Sequence, residues 1–194
     1  INGARVELYS VTGSFVAATT TANDGTKNGA YKFSSIGAGD YYVRIVSDTV
    51  NSTRTGSTGA ELGVLSYRSN GGTPVTNEVG GHNPALTDGV ANTGSQTLDL
   101  TTYQLAGGVI VQNLQKVTVT GVSAGVDFGF NFDTIVNTND NGQGSLRQFI
   151  LNANLLTGEA SLAQAGLVAG LENSIFVIPG VGPHTITPTS AYLV

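Results

Sequence analysis

Few residues of this chain combine a reactive side chain with a spacing that chemistry could use. Asn137, Asn139, Asn141 and Gly142 set side-chain oxygens at alternate positions before a glycine, the rhythm of a calcium loop. Such a loop takes carboxylates and closes on a bidentate Glu at its twelfth place, whereas here the spaced ligands are neutral and the twelfth place is Gln148. The stretch therefore reads as turns in which Asn side chains bond their own backbone. Asp24 with Asn23 and Asn28 reads the same way, as a hairpin loop. His82 lies between Gly81 and Asn83-Pro84, and His184 follows Pro183. Neither has the His-x-x-x-His or paired-carboxylate setting of a zinc site or an activated nucleophile. With 15 serines in the chain, a Ser–His–Asp triad can be drawn on paper and means nothing without geometry.

Asp127 and Asp133 flank an aromatic strand, six residues apart. A glycosidase needs two carboxylates facing one cleft about 5–9.5 Å apart, and this pair is expected on a solvated strand face instead. Tyr41 is expected in the core and Tyr42 on an exposed sheet face, since a sugar platform usually leans on Trp and there is none. Asn51-Ser52-Thr53 meets the N-glycosylation pattern, as short stretches often do by chance. No catalytic, cofactor-binding or metal-ligating residue is assigned on these grounds.

The elements that would have to position any site come next. The chain has 194 residues, room for one large domain or two small ones. Lys and Arg number 8 against 13 Asp and Glu, so the net charge is −5, and nucleic acid or an anionic membrane is not an expected partner. Charged residues are only 11% of the chain, and its polarity comes from 27 Gly, 24 Thr, 16 Asn and 15 Ser. Thr favours strands and the other three favour tight turns, a composition that predicts an all-β extracellular protein. There is no Cys, hence no disulfide and no thiolate chemistry. No run approaches the roughly 18 apolar residues of a membrane span. With neither a starting Met nor a basic-then-apolar leader, the chain reads as a processed or excised piece of a longer one.

Alternation of apolar and polar residues predicts a meander of four strands over residues 1–48. Ala4, Val6 and Leu8 share one face of the first strand; Phe15 to Thr21 is the second; Tyr31 and Phe33 lie in the third; and Tyr41, Val43 and Ile45 share a face of the fourth. Residues 49–105 are less decided. Glu61 to Tyr67 fits a strand or a helical turn, and part of the stretch is expected to pair with the sheets, because so long an irregular connection is uncommon. Strands return at Gly108–Gln112 and Lys116–Thr120. Val126, Phe128, Phe130 and Phe132 then alternate with Asp127, Gly129, Asn131 and Asp133. Four such side chains would contribute roughly 6–12 kcal/mol if fully covered.

The texture changes at Thr134. Ser145 and Gln148 have the spacing of a reciprocal capping box, with Leu146, Phe149, Ile150 and Ala153 at helical intervals and Gly158 as a stop. Glu159 to Leu171 reads as a second short helix. Ser174–Ile178 and His184–Thr187 read as strands, and the segment from Pro188 onward lacks a closing element.

Two stretches resemble known modules. Asn2-Gly3-Ala4-Arg5-Val6-Glu7-Leu8, Gly29-Ala30-Tyr31-Lys32-Phe33, Gly37-Ala38-Gly39-Asp40-Tyr41-Tyr42-Val43-Arg44 and the closing Val126-Asp127-Phe128-Gly129-Phe130 resemble the B-type repeats of Gram-positive serine-aspartate-repeat surface proteins and collagen-adhesin B domains. The resemblance implies a prealbumin-like or immunoglobulin-like β-sandwich serving as a spacer or stalk. Some relatives carry a Lys–Asn isopeptide bond from the first strand; here that strand has Glu7, the lysines are Lys27, Lys32 and Lys116, and no such crosslink is expected. The calcium loop of these repeats would precede Ile1. The run from Asn137 to Gln148, followed by Ile175 to Thr187, is similar to the opening segment of right-handed β-helix domains in large bacterial surface proteins, where a helix caps the open solenoid end.

The reading is an all-β chain: a prealbumin/immunoglobulin-like β-sandwich over residues 1–133, then a helix-capped start of a right-handed β-helix over 134–194. Its expected role is non-enzymatic, as a stalk, adhesin segment or filament subunit of a bacterial cell-surface or secreted protein. Expected partners are other copies of itself, the rest of a longer surface chain, or host or matrix glycans and proteins, with no cofactor. The alternative is a carbohydrate-binding or polysaccharide-degrading β-helix protein, which would need several coils and an acidic and basic groove.

Overall fold

The computed structural model describes residues 1–75, 79–123, 125–158, 166 and 168–191. It is an all-β arrangement with one α-helix among the described residues. The main sheet is built from β1 (Arg5–Ser10), β2 (Phe15–Thr20) and β3 (Gly39–Ile45), joined much later in the chain by β9 (Leu114–Val119). Its order is β2-β1-β3-β9 and every pairing is antiparallel. The expected four-strand meander is therefore corrected in two respects. β3 crosses back to the far side of β1 instead of following β2. Tyr31 and Phe33 lie in no strand: after the single bridge Ala22–Ala30 the chain leaves the ladder, and the two rings pack edge to face at 6.2 Å as a lid on the core. Alternation here records which side chains are covered, without a strand partner.

A second sheet runs β10 (Phe128–Asn131), β4 (Val64–Asn70) and β5 (Thr73–Val75). Of the Glu61–Tyr67 stretch that fitted strand or helical turn, the part from Val64 onward is strand, and the 49–105 segment does pair with a sheet. Val6, Leu8, Val43, Ile45 and Val117 of the main sheet share one core with Phe128 and Phe130 of β10. Those two Phe rings are half-buried, so they realise only part of the transfer energy that full covering would bring.

The outer face of the main sheet is covered too, which alternation did not foretell. Three short strands, β6 (Leu98–Asp99), β7 (Gln104–Leu105) and β8 (Val109–Ile110), form a small sheet over it. Tyr9, Leu98, Leu105, Val111 and Leu114 make a second core there, against which Tyr42 packs. Tyr42 is thus half-buried, not on an exposed face, and Glu7 and Tyr9 are fully buried. The strap is held at the β1–β2 turn, where Leu98 N donates to Gly13 O at 2.7 Å. Gly13 has φ +79°, and a Cβ there would sit 1.8 Å from Leu98 O, so only glycine admits the strap.

Beyond β10, Asn131 Oδ1 accepts from Asp133 N at 2.7 Å and from Thr134 Oγ1 at 2.8 Å, a side-chain turn that redirects the chain. β11 (Thr134–Ile135), α1 (Leu146–Leu155) and β12 (Ile175–Phe176) follow, with β11 and β12 parallel. Parallel partners need a long crossover, and α1 lies within it. The capping box forms in one direction only. Ser145 Oγ accepts from Gln148 N at 3.1 Å, but the Gln148 amide turns into the protein and donates to Asn152 Oδ1 at 2.9 Å. The expected second helix at 159–171 lies mostly outside the described residues, and its described positions are turns or irregular. His184–Thr187 is irregular rather than a strand; Pro183 and Pro188 flank it and donate no ladder N–H.

Candidate functional site

A buried ionic cluster ties the two central strands of the main sheet to the segment that covers them. Glu7 on β1 accepts from Tyr9 Oη at 2.6 Å, Arg44 Nη1 at 3.0 Å, Arg5 Nε at 2.9 Å and Asn92 N at 2.7 Å. Arg44 on β3 also donates to Asp88 Oδ1 at 3.3 Å and Gly89 O at 2.6 Å. Asp88 accepts from Ser47 N and Gln112 N. Burial pulls the Glu7 carboxyl upward, but the hydrogen bonds from Tyr9 and Arg5 and the charge of Arg44 outweigh it, so Glu7 lies below its usual range. At Asp88 burial wins over the same Arg44 and its two N–H donors, and the carboxyl lies above its usual range. The cluster ties β1 and β3 to the 88–92 strap, and no chemistry-bearing motif in the sequence announces it.

The two edges of the main sheet differ. At β9 the outward carbonyls are occupied: Arg68 Nη1 donates to Leu114 O, and Lys116 O accepts from Asn70 Nδ2 at 3.2 Å and Gln115 Nε2 at 2.7 Å. At β2 no strand and no side chain among the described residues pairs with the outer edge. Its sequence, Phe-Val-Ala-Ala-Thr-Thr, holds no charge and no proline, the devices that ordinarily blunt an edge. Val16, Ala18 and Thr20 are exposed. β12 is the other edge of interest. Beside it Val79, Phe176, Ile178, Pro179 and Ile186 line an apolar groove of about 540 Å³, with Phe176 54% exposed.

The residues weighed from sequence are dispersed. Asn137 Nδ2 donates to Pro84 O at 2.7 Å and Gln143 O at 2.9 Å, and Asn139 N donates to Asn137 Oδ1 at 3.1 Å, a side-chain-to-backbone turn. Asp24 accepts from Thr26 N, Thr26 Oγ1 and Lys27 N, and these hold its carboxyl down at about 2. Asn23 Nδ2 donates to Asn28 Oδ1 in the same loop. Asp127 is exposed as expected, but Asp133 is buried, 3.8 Å from Arg54, because the Asn131 turn ends the alternation before it. His82 stacks on Tyr103 with ring centroids 3.5 Å apart, while His184 lies beside the apolar groove. Asn51 is exposed, and Ser52 N donates to Glu61 Oε1. Lys116 pairs with Asp40 at 2.9 Å on the surface.

Sequence reasoning overlooked the amides. Asn152 makes every bond its side chain allows: it donates to Leu62 O and Phe132 O and accepts from Leu62 N and Gln148 Nε2. Gln143 Nε2 donates to Gly63 O at 2.6 Å while its Oε1 accepts from Asp88 N at 2.9 Å. The deepest face of α1 is accordingly Gln148 and Asn152, and the apolar set Leu146, Phe149, Ile150 and Ala153 is only half-buried.

Among the described residues, no three His, Cys, Asp or Glu lie together as metal ligands, and no helix is long and apolar enough to cross a membrane. Among the described residues the fold is all-β, with a main sheet covered on both faces and an unpaired outer edge at β2. Comparison with protein families, with characterised proteins and with solved structures yields no match for this chain.

Proposed function

We propose that this chain is a non-enzymatic extracellular structural module of a bacterial cell-surface or secreted protein. It acts as a stalk, an adhesin segment or a filament subunit assembled through β-strand contacts. On this reading residues 1–133 form a β-sandwich of the B-type-repeat kind and residues 134–194 begin a helix-capped right-handed β-helix. The observation that carries the proposal is the outer edge of β2, six residues without charge or proline on a sheet whose opposite edge is capped by side chains. An unblocked edge is a template for strand addition, in which main-chain hydrogen bonds supply affinity. The parallel β11–β12 pair, with its apolar groove, supplies a second strand edge of the kind a solenoid stacks upon.

Negative-stain electron microscopy of the undenatured protein tests the reading directly. Ordered fibres with a repeat near one subunit's length are expected, and Ala18→Lys, which places an exposed charge on the β2 edge, is expected to disperse them. Dispersed particles from the unaltered chain overturn the filament role. Fibres that Ala18→Lys leaves intact overturn the part assigned to β2.

A further inference from the structure

Four asparagines of this chain precede a glycine: Asn2, Asn28, Asn70 and Asn141. Glycine has no Cβ to hold the asparagine carboxamide away from the next backbone nitrogen, so that nitrogen can attack the side-chain carbon. All four asparagines are exposed, and exposure does not separate them. Their hydrogen bonds do.

At Asn2 both reacting groups are engaged. Nδ2 donates to Asn28 Oδ1 at 3.0 Å, Oδ1 accepts from Gly29 N at 2.9 Å, and Gly3 N, the nitrogen that would attack, donates to Thr21 O at 2.8 Å. The same bonds restrain Asn28, whose Oδ1 also accepts from Asn23 Nδ2 and whose following nitrogen is the one bound to Asn2. Asn70 is held at the end of β4, paired with Thr73 and donating from Nδ2 to Lys116 O at 3.2 Å. Asn141 differs from all three. Among the described residues its side chain makes no hydrogen bond, and Gly142 N donates to nothing. Its neighbours Asn137 and Asn139 direct their amides to Pro84 O, Gln143 O and Ala85 O instead.

We infer that Asn141-Gly142 is a site of spontaneous deamidation, the least restrained of the four such steps, and one independent of the strand-assembly reading. Gly142 N loses its proton and bonds to Asn141 Cγ, the Cγ–Nδ2 bond breaks, and ammonia leaves with that proton. Water then opens the cyclic imide. Cleavage between the nitrogen and Cγ leaves an aspartyl residue, and cleavage at the main-chain carbonyl carbon leaves an isoaspartyl one. One water is consumed and one ammonia released, with no other reactant.

The turn itself imposes the glycine: Gly142 has φ +89°, and a Cβ there would stand 3.0 Å from Thr87 Oγ1. The reaction also falls where the fold makes use of the backbone. Gly142 O accepts from Ser145 N at 3.2 Å and Ser145 Oγ at 2.8 Å, and Ser145 caps α1. Gln143, next along, bonds Gly63 O and Asp88 N. An isoaspartyl linkage lengthens the main chain by one methylene just before these contacts. Either product adds a carboxylate next in sequence to Asp140, whose own carboxylate holds Arg147 and Thr189.

The experiment incubates the intact chain at mildly alkaline pH, folded and in urea, and follows the four Asn–Gly peptides by mass spectrometry after proteolysis. Each folded rate is divided by the rate of the same peptide in urea. Asn141 should keep most of its unfolded rate, whereas Asn2 and Asn28, whose several bonds must break first, should slow about tenfold or more. Folded chains converted at position 141 should gain one negative charge on native isoelectric focusing and exchange amide hydrogens faster over residues 137–145. Asn141→Gln, which alters an exposed side chain without partners among the described residues, should abolish that charge gain over the same interval. An Asn141 slowed by folding as much as Asn2 and Asn28 overturns the site. So does a charge gain that Asn141→Gln leaves unchanged. Unaltered exchange over 137–145 in the converted chain overturns the consequence drawn for the turn.

Discussion

Glu61 accepts four hydrogen bonds within the loop between η1 (Ser47–Thr49) and β4, and replacing it with Gln isolates one carboxylate's worth. Its Oε1 accepts from Ser52 N at 2.9 Å and from Ser57 Oγ; its Oε2 accepts from Gly59 N at 3.0 Å and Thr58 N at 3.2 Å. Burial raises the carboxyl, but the Ser57 hydroxyl and the backbone donors outweigh it, and the group is held down at about 2 against an ordinary value of 4.5. At about 1.36 kcal/mol per pH unit the fall from 4.5 to about 2 corresponds to about 3.4 kcal/mol, of which allowance for solvent screening leaves about 2 kcal/mol of stability. Because the folded value is depressed, that stability is fully present above the unfolded value near 4.5 and is lost as pH falls through about 2. In Glu61→Gln the amide NH2 confronts backbone donors that cannot reverse, whereas the Ser57 hydroxyl can rotate. Urea denaturation followed by circular dichroism should find the variant about 2 kcal/mol less stable at neutral pH, with the gap closing as pH descends through the window. A gap that is constant with pH, or no gap at neutral pH, refutes the reasoning.

Arg44→Met should destabilise by about 3–5 kcal/mol in denaturant titration, since it strands Glu7 and Asp88 inside the protein, and adding Glu7→Gln and Asp88→Asn should recover much of the loss. Asp88, with its folded pKa raised, contributes the opposite pH sign to Glu61: its penalty is present above the folded value and fades as pH falls through it toward the unfolded one, so Asp88→Asn should flatten that part of the stability profile. Asn152→Leu leaves Leu62 N, Leu62 O and Phe132 O without their partner and should cost about 3 kcal/mol or more, read as a lower thermal midpoint. Gly13→Ala meets Leu98 O and should raise hydrogen exchange at β6–β8 before the rest of the main sheet.

Strand positions were legible wherever one face met a core. Val6 and Leu8, or Val43 and Ile45, alternate cleanly because their faces contact a single apolar layer. Reading failed where the opposite face was covered by something distant in sequence. Glu7 and Arg44 look solvated in a period-two pattern, and only the 88–92 strap, some 45 to 85 residues away along the chain, makes them buried partners. The helix shows the same limit. Its apolar residues sit at helical spacing, yet Gln148 and Asn152 face inward, because backbone groups at Leu62 and Phe132 need partners more than the apolar side needs covering. Asn and Gln in turn-rich stretches read as local turn chemistry, which holds for Asn139 and not for Asn152 or Gln143.

The unequal edges of the main sheet make a single physical argument. β9 had every opportunity to pair outward, and three side chains from β4 and β9 itself occupy its carbonyls instead. Satisfying those groups internally removes a template for aggregation. The same sheet leaves β2 with exposed Val16 and Ala18 and neither Lys nor Pro to deter a neighbour. A sheet that guarded both edges would be inert, and one that guarded neither would pair without direction. One guarded and one open edge permit strand addition on a single side, so a second copy must bring a different surface to β2 than β2 itself or join it about a two-fold axis. The first arrangement propagates and the second stops at a dimer. Light scattering of the dilute chain therefore separates them: mass that rises continuously with concentration fits head-to-tail growth, and a plateau at two copies excludes it.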